Sequence, residues 1–146
     1  MENQKKVKLF LVDDDAVFLK VLEVEFLQQG DFIIETFSSG ESCLLNLANN
    51  PDIIILDYHL HLDEIGENAM NGIETLDKIR AINPDIPVVI LSSQDKIDVA
   101  VECMHHHAFD YVVKSETAFI RLQKIISTIL NKKKLTKELS WYMDRM

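Results

Sequence analysis

The stretch Pro51-Asp52-Ile53-Ile54-Ile55-Leu56-Asp57-Tyr58 decides how this chain folds. Four consecutive apolar residues, three of them β-branched, run straight into a carboxylate. So short an apolar run, with a proline just before it, predicts a strand buried on both faces, as in parallel sheets. Asp57 then stands at the carboxyl end of that strand, the edge where open α/β sheets bind ligands. An aspartate in this place also serves as a helix cap or turn residue, so its flanks have to decide.

On the amino-terminal side, Val7 to Val12 is apolar apart from Lys8 and predicts the first strand, ending at Asp13-Asp14-Asp15. From Ala16 the period changes to that of a helix. Val17, Val21, Val24 and Leu27, with Phe18, Leu22 and Phe26 beside them, fit its apolar face, and Gly30 stops it. Phe32 to Phe37 predicts a second strand, Ser38-Ser39-Gly40 a turn, and Glu41 to Asn49 a short helix. On the other side, Tyr58 to Asn71 is a long connection without clear periodicity, the kind that tends to be functional or mobile. Gly72 to Ile82 predicts a helix with Ile73, Leu76 and Ile79 inward, and Ile86 to Leu91 a fourth strand. Asp95 to about His106 predicts a helix with Ile97, Val101 and Met104 on one face. Tyr111 to Val113 predicts a fifth strand ending at Lys114, and from Thr117 a last helix turns Phe119, Leu122, Ile125, Ile126 and Ile129 inward. Five short strands alternating with five helices imply βα units and an α/β parallel sheet with right-handed crossovers.

Composition narrows the function. At 146 residues and 47% hydrophobic the chain is one domain with a proper core. A net charge of −9 argues against direct nucleic-acid binding, which needs a basic footprint. Cys43 and Cys103 do not make a disulfide scaffold; they fit a reducing compartment and read as small packing residues. No segment has the shape of a signal peptide or of a membrane span, so the expectation is a soluble, cytoplasmic protein with no membrane contact. Four glycines without a G-x-G-x-x-G or P-loop pattern disfavour a nucleotide-binding doubly wound domain.

The residues just after each strand carry the chemistry. The first strand gives Asp13, Asp14 and Asp15, the third Asp57, the fourth Ser92 and the fifth Lys114. In a parallel sheet all of them lie at one edge. Crowded carboxylates repel unless one is protonated or a cation sits among them, and all-oxygen ligands with open positions suit Mg²⁺. An aspartate can be the nucleophile in phosphoryl transfer, with metal and lysine neutralising the phosphoryl oxygens.

Val12-Asp13-Asp14-Asp15 after the first strand, Leu56-Asp57 after the third, Leu91-Ser92-Ser93 after the fourth and Tyr111-Val112-Val113-Lys114 after the fifth resemble the receiver domain of two-component response regulators. The resemblance covers about residues 7 to 130. It implies a doubly wound five-stranded parallel sheet of flavodoxin-like strand order 2-1-3-4-5 with five helices. It implies that Asp57 accepts a phosphoryl group from a histidine kinase or histidine phosphotransfer protein. Asp13 and Asp14 would be the acidic pair for Mg²⁺, Asp14 more directly, with Asp57 and the backbone carbonyl of His59 completing the site. Ser92 would hydrogen-bond the phosphoryl group and Lys114 would ion-pair with it. Tyr111 would change rotamer with the Ser92 loop and switch the face of the fourth helix, fifth strand and fifth helix toward a downstream partner. His59 and Gln94 stand where the family modulates dephosphorylation. Weak self-phosphorylation and self-dephosphorylation, rather than an enzyme's turnover, go with this reading. Asp15 falls outside the acidic pair and reads as an N-cap.

Three departures qualify the resemblance. Ser115 follows Lys114 where the family usually has proline, so a trans bond is expected there. The segment from His61 to Met70, with Asp63, Glu64 and Glu67, resembles an insertion; it reads as a solvated loop or as a lid beside the site, and Gly72 matches the family glycine that follows. His107 stands where the family often has a helix-ending glycine. His105, His106 and His107 point roughly 100° apart on a helix and cannot chelate one ion together, and a transition-metal site at His59, His61 and Asp63 is disfavoured.

Two other functions stand beside the switch. A phosphorylation-independent binding module would need a missing acid or lysine, and none is missing. An aspartate-nucleophile phosphohydrolase usually carries a second aspartate two residues after the nucleophile, where this chain has His59. The domain reads as residues 1–130. Residues 131–146, with Lys132-Lys133-Lys134 followed by Leu135, Leu139, Trp141, Tyr142 and Met146, read as a helical extension serving as a linker or a homodimer contact.

Overall fold

The computed structural model describes residues 6–60, 70–93 and 95–146. Five strands, β1 (Val7–Val12), β2 (Phe32–Phe37), β3 (Ile53–Asp57), β4 (Val88–Ser92) and β5 (Asp110–Val113), form one parallel sheet in the order β2-β1-β3-β4-β5. Helices α1 (Ala16–Gln29), α2 (Gly40–Leu45), α3 (Gly72–Ile82) and α4 (Ile97–His105) make the crossovers, α5 (Ala118–Asp144) follows the last strand, and a 3-10 turn over Leu47–Asn49 follows α2. This is the doubly wound architecture expected from the sequence.

β3 runs through the middle and every residue of it is buried. Its side chains alternate between two cores, as the pleat requires. Ile54 and Leu56 join Leu76 and Ile79 of α3, Cys43 of α2 and Cys103 of α4 on one face. Ile53 and Ile55 join Leu22 and Phe26 of α1 and Leu122, Ile126 and Ile129 of α5 on the other. Burial pushes the Cys43 thiol up to about 12 and the Cys103 thiol up to about 11, so both pack as apolar groups and neither is a thiolate at neutral pH.

Two helix faces differ from the expectation. α1 is apolar on most sides, and the sheet takes the stripe with the aromatic residues: Leu22 and Phe26 are buried with Phe18 packed beside them, whereas Val17 is 75% exposed and Val21, Val24 and Leu27 also face solvent. Two interleaved stripes satisfy the same period, and the larger one covers more of the sheet. In α4 the core receives Cys103 and, in part, Val99, while Ile97, Val101 and Met104 point outward.

Local signals place the ends. Asp15 caps α1, its side chain accepting from the amides of Val17 and Phe18, as expected of an N-cap. Gly30 ends α1 in an extended conformation rather than a left-handed turn. β4 starts at Val88 rather than Ile86, because Ile86 N–H bonds back to Asn83 and Pro87 has no N–H to give the ladder. His107 takes φ 67°, the left-handed position for which a glycine is the usual residue. No peptide bond among the described residues is cis, Lys114-Ser115 included.

Gly72 opens α3 directly under the end of β3. A Cβ added there would lie 2.6 Å from the carbonyl oxygen of Asp57 and 2.8 Å from the backbone of Tyr58. Gly72→Ala is expected to cost about 1–3 kcal/mol through overpacking, because both neighbours are main chain and cannot yield. A urea midpoint unchanged from wild type would refute this.

Candidate phosphoacceptor site

Register brings the strand ends together. Val12 pairs with Leu56, so Asp13 and Asp57 leave neighbouring strands side by side. Asp57 pairs with Leu91 and Ser92 with Val113, which sets Ser92 and Lys114 on the opposite side of Asp57. The amide of Lys114 donates to the carbonyl of Ser92 at 2.7 Å and that of Tyr58 to Leu91 at 2.8 Å, continuing the ladder to the rim. Asp13, Asp57 and Ser92 are buried, whereas Asp14 faces solvent.

Lys114 bridges the two buried acids. Its Nζ lies 2.8 Å from Asp13 Oδ2 and 3.5 Å from Asp57 Oδ1, and 4.6 Å from the centroid of the Phe18 ring. Burial works against its charge, but the two carboxylates outweigh burial and hold its pKa above the ordinary lysine value. At Asp57 burial wins instead. Desolvation, then the negative charge of Asp13, raise its carboxyl to about 7, although Lys114 and the His59 N–H at 3.2 Å oppose the rise. The amide of Asp15 donates to Asp13 Oδ1, whereas Asp13 Oδ2, completely buried, receives no aligned hydrogen bond and lies 2.8 Å from the lysine ammonium.

Carboxylate oxygens of Asp13, Asp14 and Asp57 all lie within 4.8 Å of one another. Three hard oxygen donors, two on buried side chains and one on a solvent-facing side chain, fit a hard divalent cation that keeps part of its water shell. It is the one such cluster among the described residues.

That edge decides the family. The description "Response regulator receiver domain" matches residues 9–129. The chain belongs to that family. Over 120 residues it is 34% identical to a protein-glutamate methylesterase/protein-glutamine glutaminase of Clostridium acetobutylicum, covering 79% of this chain and 32% of that protein. A response regulator receiver domain protein of Clostridium thermocellum superposes with TM-score 0.76 at 27% identity, covering 89% of this chain and 98% of that one. The CheX–CheY–BeF3–Mg²⁺ complex of Borrelia burgdorferi contains a chain matched with TM-score 0.71 at 25% identity, covering 84% of this chain and 88% of that one. The chain spans between 22% and 34% of the length of the curated relatives it matches.

Within this receiver domain the structure adds a contact the sequence did not reveal. His59 Nε2 and Ser92 Oγ lie 3.2 Å apart, so the histidine two residues past Asp57 holds the hydroxyl expected to meet a phosphoryl group. The Tyr58 and His59 rings meet edge to face at 5.1 Å, and Tyr58 reaches Glu102 of α4. Tyr111 is half-buried against the core beneath α2, α3 and α4. His106 pairs with Asp77 of α3 at 2.7 Å, apart from the acidic edge. Gln94, His61, Asp63, Glu64 and Glu67 lie outside the described residues. No helix among the described residues is long and apolar enough to cross a membrane.

Proposed function

We propose that this receiver domain is a phosphorylation-driven switch with Asp57 as phosphoacceptor. The observation that carries the reading is one buried edge holding Asp57, a lysine bridging it to Asp13, and a third carboxylate within reach. A carboxylate oxygen of Asp57 attacks the phosphorus of a phosphohistidine on a histidine kinase or phosphotransfer protein. The P–N bond breaks as the P–O bond forms, and the imidazole nitrogen keeps the electron pair and takes a proton. Lys114 neutralises a phosphoryl oxygen, and Ser92 donates its hydroxyl to another after leaving His59.

Asp13, Asp14 and Asp57, with the backbone carbonyl of His59, would hold Mg²⁺. Bound there, Mg²⁺ supplies positive charge that keeps Asp57 ionised and offsets the phosphoryl charge. In its absence the pKa of about 7 leaves much of Asp57 protonated and poorly nucleophilic near neutral pH. Ser92 and Tyr111 carry the change to the α4–β5–α5 face, where Ile97, Val101 and Met104 of α4 and Ile120 of α5 offer an exposed apolar surface for a downstream protein. The role is signalling in the cytoplasm, and the methylesterase activity named for one relative belongs to a protein about two and a half times as long. Residues 131–146, the end of α5, serve as linker or self-contact.

His59 and Gln94 tune the rate. His59→Ala removes the group that competes for Ser92, an interaction of about 0.5–1.5 kcal/mol, so phosphorylation by acetyl phosphate is expected to be severalfold faster. A rate equal to wild type would remove His59 from the step. The donor is tested by phosphotransfer from radiolabelled histidine kinases and phosphotransfer proteins of the source organism. Rapid labelling of wild type but not of Asp57→Asn by a preferred donor is expected; no labelling from any donor would overturn the proposal.

A further inference from the structure

The amino-terminal edge of the sheet, opposite the acidic one, holds a cleft of about 760 Å³. Pro87 and Phe109, the residues just before β4 and β5, mark its position. Its floor is apolar: Pro87, Ala108 and Ile129 are buried and Phe109 is half-buried, with Met104 at the rim. Its walls are cationic. Arg80 comes from the last turn of α3, and Lys132, Lys133 and Lys137 come from α5.

Four of the chain's fifteen lysines and arginines therefore line one cleft, in a molecule of net charge −9. Asp85 is the only carboxylate among the lining residues. Arg80 Nη1 donates to the carbonyl of Ile86 at 3.1 Å and Lys133 Nζ to that of Asp52 at 3.0 Å, so both side chains are anchored with N–H groups to spare. Lys132 and Lys137 have no carboxylate partner among the described residues. Three of the four cations lie beyond residue 129, where the family match ends, so the cleft is a product of the long α5.

We infer that this cleft binds a small anion carrying a planar aromatic ring, of about the size of a mononucleotide. The volume falls within the range of about 300–1,000 Å³ typical of ligand pockets. Phe109 and Met104 suit the face and edge of a planar ring. The anchored Arg80 and Lys133 offer fixed donors to a phosphate or carboxylate, and Lys132 and Lys137 add charge from the open side. The cleft joins α3, the α4–β5 turn and α5, so an occupant ties together elements of the proposed output face.

The test uses the whole chain in EDTA, with AMP as probe and amide chemical shifts as readout. Expected are saturable shifts confined to residues 80–87, 104–109 and 129–137, a dissociation constant of about a millimolar or tighter, weakening with salt, and weaker shifts with inorganic phosphate. Lys132→Glu with Lys137→Glu, both exposed, is expected to weaken AMP about tenfold or more without changing the circular dichroism. No shifts, shifts at the Asp57 edge instead, or shifts indifferent to the double substitution would overturn the site. Phosphate binding as tightly as AMP would overturn the part given to the apolar floor. Binding of an oligoglutamate peptide without AMP would assign the cleft to an acidic protein segment and overturn the small-molecule reading.

Discussion

At pH 8 and without metal, Asp57→Asn is expected to resist urea better than the wild-type chain. The Asp57 carboxyl titrates near 3.8 when exposed and is raised to about 7 in the fold, by burial first and by Asp13 second. Between these values the folded state binds a proton that the unfolded state has released. Stability of the wild type therefore falls as pH rises from about 4 to about 7, and the loss persists above that. A shift of about three units corresponds to about 4 kcal/mol at most, and relaxation around the site reduces the observed difference to about 2–4 kcal/mol. The asparagine keeps the shape without the charge, so its advantage should shrink toward zero near pH 4. Added Mg²⁺ should stabilise wild type at pH 8 more than the variant, narrowing the gap. Parallel stability curves for the two proteins from pH 4 to 8 would show that Asp57 is not strained by its neighbours.

Lys114→Met should have the opposite sign and a similar size. The lysine is the counter-charge common to Asp13 and Asp57, at 2.8 and 3.5 Å. Its removal leaves two buried carboxylates facing each other, a loss of about 2–4 kcal/mol at pH 8. The loss should be smaller at pH 5, where Asp57 is protonated. In the double variant Lys114→Met with Asp57→Asn, the lysine change should cost less than it does alone, because one of the repelling charges is gone. Strictly additive effects in urea unfolding would mean that the ion pair does not couple these residues.

The legible parts of the fold were those set by short-range pattern. β3 was read from one uninterrupted apolar run, and the strand ends from the polar residue that stops each run. Because parallel strands share one edge, Asp13, Asp57, Ser92 and Lys114 could be brought together before any distance was known. Asp15 as a cap was likewise a local signal, whereas His107 stood out only because the resembled family often has a helix-ending glycine there. The inward faces of α1 and α4 were not legible. Apolar residues surround most of α1, and three of the apolar residues of α4 turn to solvent, so periodicity alone could not select a side. The role of Gly72 depends on how closely α3 meets the backbone of β3, and the His59–Ser92 contact on two residues 33 positions apart. The basic cleft was present in the sequence only as Lys132-Lys133-Lys134, which reads as a solvated helix end until α5 passes below the sheet.

The most direct test of the switch is the intact mass of the chain after incubation with acetyl phosphate, with and without Mg²⁺, for wild type and Asp57→Asn. A single acid-labile phosphoryl adduct on wild type, absent in the variant and absent without Mg²⁺, is the predicted result. An adduct that survives in Asp57→Asn, or none on a folded wild-type chain that binds Mg²⁺, would contradict it.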